Sequence, residues 1–134
     1  MRKIVRWGIT WLVVAGFILS PSVLPAGEAA ITATKEQSGR EIALQTGNIL
    51  RVELPSRGGT GYSWFAQATG APCLKLMSEA TEKDGEPRPG APVTQVWLFK
   101  AEQPGTCEIS LAYYRPWEGV GKAADHFRLK IRIE

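Results

Sequence analysis

The last eight residues constrain the fold more than any other stretch: Phe127, Leu129, Ile131 and Ile133 alternate with Arg128, Lys130, Arg132 and Glu134. A strict period of two describes a strand with one dry and one wet face, a separation that a helix of the same residues does not produce. The same alternation runs through Cys107, Ile109, Leu111 and Tyr113 against Glu108, Ser110 and Ala112. Shorter candidate strands lie at Glu41 to Leu44, Ile49 to Leu54, Ser63 to Ala68, Cys73 to Ser78 and Thr94 to Lys100. Turn residues such as Gly47 with Asn48, and Pro104 with Gly105, separate them. After the first thirty residues no stretch sustains an i, i+3, i+4 apolar pattern. About seven short strands in a chain of this size predict an all-β fold, an immunoglobulin-like antiparallel β-sandwich.

Residues 1–30 are written differently. Arg2, Lys3 and Arg6 lead, an uncharged apolar run from Trp7 to Leu19 follows, and Pro21 and Pro25 break the pattern. This is the layout of a signal peptide, with Gly27, Ala29 and Ala30 offering a cleavage site. The run is shorter than the roughly 20 residues of a spanning helix, although an uncleaved anchor is the alternative. No cysteine follows closely, so a lipid anchor is not indicated. The reading is therefore a signal peptide over 1–30 and one domain over 31–134, exported to the periplasm or the medium. No stable membrane association is expected after cleavage, and the domain is expected to be monomeric.

Export changes the charge argument. Of the 16 basic and 13 acidic residues, the first thirty hold Arg2, Lys3, Arg6 and Glu28, leaving 13 against 12 and a mature charge near +1. No basic stripe remains to serve as a nucleic-acid footprint. The two cysteines, Cys73 and Cys107, both fall in the exported part. An oxidising compartment makes one disulfide their natural pairing, worth about 4 kcal/mol in the chain-entropy model; two separate buried thiols are the alternative.

The three longest connections are rich in Gly, Pro and Arg: Pro55 to Tyr62, Thr81 to Pro92, and Arg115 to Asp125. Loops on a rigid sandwich are where binding usually sits. Catalytic groupings are missing. His126, the one histidine, reads as a polar residue at a strand end, and Cys73, Cys107 and His126 lack zinc-ligand spacing. Glu79, Glu82, Asp84 and Glu86 are interleaved with Lys83 and do not follow a calcium loop, so they read as a solvated segment. The cluster Gly58, Gly59 and Gly61 has no P-loop lysine after it. No metal or cofactor is expected, and the scaffold reads as a recognition module rather than an enzyme.

Two segments carry a resemblance. Leu54-Pro-Ser-Arg-Gly-Gly-Thr-Gly-Tyr-Ser-Trp64 resembles the first signature of the chagasin family of cysteine protease inhibitors, a loop reading Asn-Pro-Thr-Thr-Gly that leads into an aromatic strand. Tyr113-Tyr-Arg-Pro-Trp-Glu118 contains the family's Arg-Pro-Trp signature. The likeness runs from about Gly39 to Glu134. It implies reversible inhibition of papain-like cysteine proteases, endogenous or host, by three loops that occlude the active-site cleft. By position it implies protease contact from Arg57, Gly58, Gly59, Thr60, Gly61 and Tyr62 in the first loop, from Gly90, Ala91 and Pro92 in the second, and from Arg115, Pro116 and Trp117 in the third. Thr60 and Gly61 match the end of the first motif and would approach the protease centre.

The chain departs from the family where Arg57, Gly58 and Gly59 replace Asn, Pro and Thr, exchanging a φ-fixed proline for flexible glycines. Gly90 matches the start of the second signature, Gly-x-Gly-Gly, but Ala91, Pro92 and Val93 do not continue it. The first loop is therefore expected to be less ordered when free, losing more entropy on binding. Among the tryptophans, Trp64 reads as core, Trp97 as packed or at a sheet surface, and Trp117 as a loop-tip anchor. The competing reading is an exported immunoglobulin-like module that binds a wall component, a carbohydrate or a protein partner without inhibiting. It would be favoured if Trp117 and Gly59 sat at opposite ends of the sandwich.

Overall fold

The alternation resolves into eight strands in the computed structural model, which describes residues 30–83, 85 and 88–134. They are β1 (Ala30–Ala33), β2 (Glu41–Leu44), β3 (Ile49–Arg57), β4 (Ser63–Thr69), β5 (Leu74–Lys83), β6 (Pro92–Ala101), β7 (Gly105–Tyr114) and β8 (Asp125–Ile133). Single 3-10 turns lie at Lys35–Gln37 and Val120–Lys122. One sheet has the order β1-β3-β6-β5 and the other β2-β8-β7-β4. The inward residues of both sheets meet as one core, with Leu50, Val52 and Leu54 of β3 and Phe99 of β6 against Ile109 and Leu111 of β7 and Phe127, Leu129 and Ile131 of β8. Burying each such side chain contributes roughly 1.5–3 kcal/mol.

The expected sandwich is thus the observed one, with two features the alternation did not reveal. The first is β1, which opens at Ala30, the last residue assigned to the signal segment; the rest of that segment lies outside the described residues. Ala30-Ile-Thr-Ala33 is too short and too weakly apolar to declare a strand. The second is that β1 pairs parallel with β3, and β2 parallel with β8, while the other pairings are antiparallel. After β1 the chain turns through Lys35–Gln37 and starts β2 from the end at which β8 also starts.

Strands also reach further into the expected loops. β3 continues through Pro55, whose carbonyl turns away from β6 to accept the Trp64 indole N–H at 2.9 Å. Its ring therefore removes no ladder bond, the condition under which a strand tolerates proline. β5 continues through Thr81 to Lys83, so the second connection starts later than its polarity suggested. On the outer face of that sheet Arg51 reaches across β6, bonding Glu53 and Glu82. Those two carboxylates, Glu53 first, hold its pKa above the ordinary arginine value.

Trp64 and Trp97 are both buried. The Trp97 indole donates to Glu79 at 2.9 Å. Gln95, a polar residue on the inner side of β6, accepts from the Trp64 backbone N–H at 2.8 Å and donates to its carbonyl at 3.3 Å, tying the edge of one sheet to the other. Cys73 and Cys107 form the disulfide, with Cα atoms 6.2 Å apart. It joins the residue preceding β5 to β7, and so also links the two sheets.

Strand direction sorts the connections. Residues 45–48, 70–73 and 102–104 turn at the disulfide end. The connections over 58–62 and 115–124, here loops 1 and 3, and the described residues 85 and 88–91 between β5 and β6, here loop 2, all lie at the opposite end.

Candidate functional site

Loop 1 begins where Arg57 ends β3, its backbone N–H donating to the Tyr113 hydroxyl at 3.1 Å. The next residues do not extend. Thr60 Oγ1 donates to the Arg57 carbonyl at 3.0 Å and accepts from the Tyr62 backbone N–H at 3.3 Å, closing a tight turn. Ser56, buried at the foot of the loop, donates its hydroxyl to the Tyr62 carbonyl at 3.3 Å. The Tyr62 ring stacks on Tyr113 at 5.3 Å, and Tyr113 meets Trp64 at 5.0 Å, so loop 1 stands on an aromatic column rooted in the core.

The glycines are contact surfaces. A Cβ on Gly58 would lie 2.5 Å from the Ala91 carbonyl oxygen of loop 2, and one on Gly59 would lie 3.4 Å from the Gly90 Cα. A Cβ on Gly61 would overlap the Trp117 ring of loop 3. Gly61 also has φ +81°, a conformation that other L-residues rarely adopt. Loop 1 is thus pressed between loops 2 and 3 wherever it lacks a side chain. In place of the family's φ-fixed proline, loop 1 has these close contacts with its neighbours.

Loop 3 opens on Arg115, where the Glu118 N–H donates back to the Arg115 carbonyl at 3.0 Å. The Arg115 guanidinium donates to the Thr60 carbonyl at 2.9 Å, pairs with Glu118 at 3.2 Å, and lies 4.5 Å from the Tyr62 ring centre. Trp117, two residues on, is 72% exposed, with one edge of its ring against Gly61. At the flank Lys35 pairs with Asp125 at 3.2 Å and donates to the His126 carbonyl, so His126 occupies the strand-end position expected. Arg57 is exposed at the end of β3, and its guanidinium forms no ion pair with another described residue.

Every candidate contact residue of the three loops therefore falls at one end. Gly59 and Trp117 share that end, contrary to the condition that would favour the non-inhibitory module. Loop 2 is described at residues 85 and 88–91; Asp84 and Glu86 lie outside the described residues. Three further residues support the site. Tyr113 is the hydroxyl acceptor and aromatic base for loop 1, and its position next to the Arg-Pro-Trp segment was the available signal. Glu118 pairs with Arg115, as an acid three residues away on a turn can. Val120, 47% exposed, adds apolar surface to loop 3, and nothing in its neighbours marked it.

Comparison with known proteins gives one consistent answer. Residues 43–131, from β2 into β8 and including all three loops, match the model of "Chagasin family peptidase inhibitor I42". Chagasin of Trypanosoma cruzi is 25% identical over 103 residues, covering 74% of this chain and 94% of its own length. A cysteine protease inhibitor from Entamoeba histolytica has a similar structure, with a TM-score of 0.72 at 20% identity, covering 80% of this chain and 97% of that one. Amebosin gives 0.66 at 21% identity, covering 79% and 98%. PbICP-C, solved in complex with falcipain-2, gives 0.52 at 21% identity, covering 80% and 89%. These structural likenesses establish the fold.

Proposed function

The chain belongs to the chagasin family of peptidase inhibitors, and from that premise we propose that it reversibly inhibits papain-like cysteine proteases by filling the active-site cleft with loops 1, 2 and 3. It is an inhibitor, not an enzyme. The observation that carries the mechanism is the shared face of the three loops, where an exposed tryptophan stands against a bare glycine.

Geometry supports a wedge over a substrate mimic. A protease cuts a peptide held extended across its nucleophile, whereas residues 57–60 are folded into a turn closed by the Thr60 hydroxyl. In this reading Thr60 and Gly61 approach the catalytic cysteine, with Arg57, Gly58, Gly59 and Tyr62 beside them. Gly90, Ala91 and Pro92 line one flank. Pro116 and Trp117 line the other, the indole supplying the large, rigid surface typical of an interface hot spot. The leader-like segment 1–30 and the Cys73–Cys107 disulfide support export to an oxidising compartment, where the target protease would be met. The runner-up, a binding module without inhibition, has no observation in its favour.

The test is to titrate the purified domain against papain. Activity should fall stoichiometrically, return on dilution, and leave the inhibitor chain intact after prolonged incubation. Stoichiometric cutting between Arg57 and Tyr62 would show that it binds as a substrate and would overturn the wedge.

A further inference from the structure

We infer that Arg115 is a positioning residue that latches loop 1 to loop 3, setting the shape of the inhibitory surface before any protease is met. The part of this that concerns inhibition rests on the function proposed above. The latch itself is a property of the free protein.

Gly58, Gly59 and Gly61 with no proline give a segment that alone would sample many conformations, and ordering it at the moment of binding would weaken the complex. In the structure its order comes from its neighbours. The Thr60 carbonyl, lying between the two residues that would approach the catalytic cysteine, accepts from Arg115 Nε at 2.9 Å. The planar guanidinium also faces the Tyr62 ring at 4.5 Å and turns its other edge to Glu118 at 3.2 Å. One side chain thereby fixes the turn residue, the aromatic foot of loop 1 and the turn of loop 3. Trp117 completes the contact by lying on Gly61, so the anchor and the turn are set against each other.

Arginine suits this task because its planar fork donates in two directions while stacking on a ring. Lysine carries the same charge but can reproduce neither the fork nor the stacking. Its guanidinium bonds Thr60 and Glu118 and faces Tyr62, so removing it should act on the protease through loop 1.

That distinction is measurable with Arg115→Lys and Arg115→Gln. The Tyr62 amide is held by the Thr60 hydroxyl inside the latched turn, so its hydrogen exchange in the free protein reports the latch. Both variants should exchange it about 10-fold faster, the scale of losing one charge-assisted bond, with amides of β3, β7 and β8 unchanged. Both should weaken papain inhibition by about 10-fold, while the urea midpoint stays near that of the parent. Unchanged Tyr62 exchange in both variants would overturn the latch, whatever happens to inhibition. Full inhibition by Arg115→Lys would overturn the positioning role, because charge alone would then suffice. If the parent protein failed to inhibit papain, the functional reading would fall, and the exchange measurement would still decide whether the latch exists.

Discussion

The two ends of the sandwich are closed by different means. At the disulfide end the turns are short, Asn48 is buried with its side-chain oxygen on the Gln45 N–H, and Cys73 is bonded across to Cys107. At the loop end the segments are longer, and they are held by glycine faces, the Ser56 and Thr60 hydroxyls, the Tyr62–Tyr113–Trp64 column and Arg115. A covalent tie lowers the entropy of the unfolded chain, whereas contacts between loops order only the loops. The fold therefore depends on the core and the disulfide end. The loop end is left able to present an indole at 72% exposure, which no folding requirement explains.

Substitutions can break this division of labour. The largest effect is expected at Trp64, which lies beneath the loops but is buried in the core. Trp64→Ala should cost about 3–5 kcal/mol in a urea titration, with inhibition falling only as the protein unfolds. A small stability loss with a large affinity loss would move Trp64 into the binding surface. Next comes the disulfide. Replacing Cys73 and Cys107 by serine should cost about 2–5 kcal/mol of stability. The inhibition constant of the molecules still folded should change less than about twofold, since the bond is at the far end. A larger change would show that the ends are coupled. Gly61→Ala probes the loop side. A left-handed backbone and an overlap with the Trp117 ring should cost about 1–2 kcal/mol of stability and weaken inhibition by about 10-fold or more, checked by urea titration and by the inhibition constant. An alanine tolerated in both assays would mean that Trp117 does not rest on this glycine.

Much of the fold was legible because burial in a sandwich imposes a period of two on each strand, and β7 and β8 follow it nearly without exception. What escaped had a physical reason. Thr81-Glu-Lys83 belongs to β5 at the edge of its sheet, where both faces are exposed and no alternation is required. β1 is four residues long and mostly small. The parallel pairings of β1 and β2 depend on which way the chain crosses between sheets, and that leaves no local pattern. In the site, Arg115 and Trp117 were legible as a motif, and the placing of all three loops at one end followed from strand order. The role of the glycines was not legible, because a residue with no side chain records nothing of what packs against it. Gly58 and Gly61 suggested flexibility in sequence and turn out to be surfaces on which Ala91 and Trp117 rest.

If the loop end binds without holding the fold, Trp117→Ala separates the two roles. On one preparation of this variant, a urea titration and an inhibition constant against papain should be measured together. Stability should stay within about 1 kcal/mol of the parent while inhibition weakens about 30-fold or more, chiefly through faster dissociation. A stability loss of about 3–5 kcal/mol with inhibition reduced only by unfolding would make Trp117 part of the fold, and an unchanged inhibition constant in a stable protein would remove it from the binding surface.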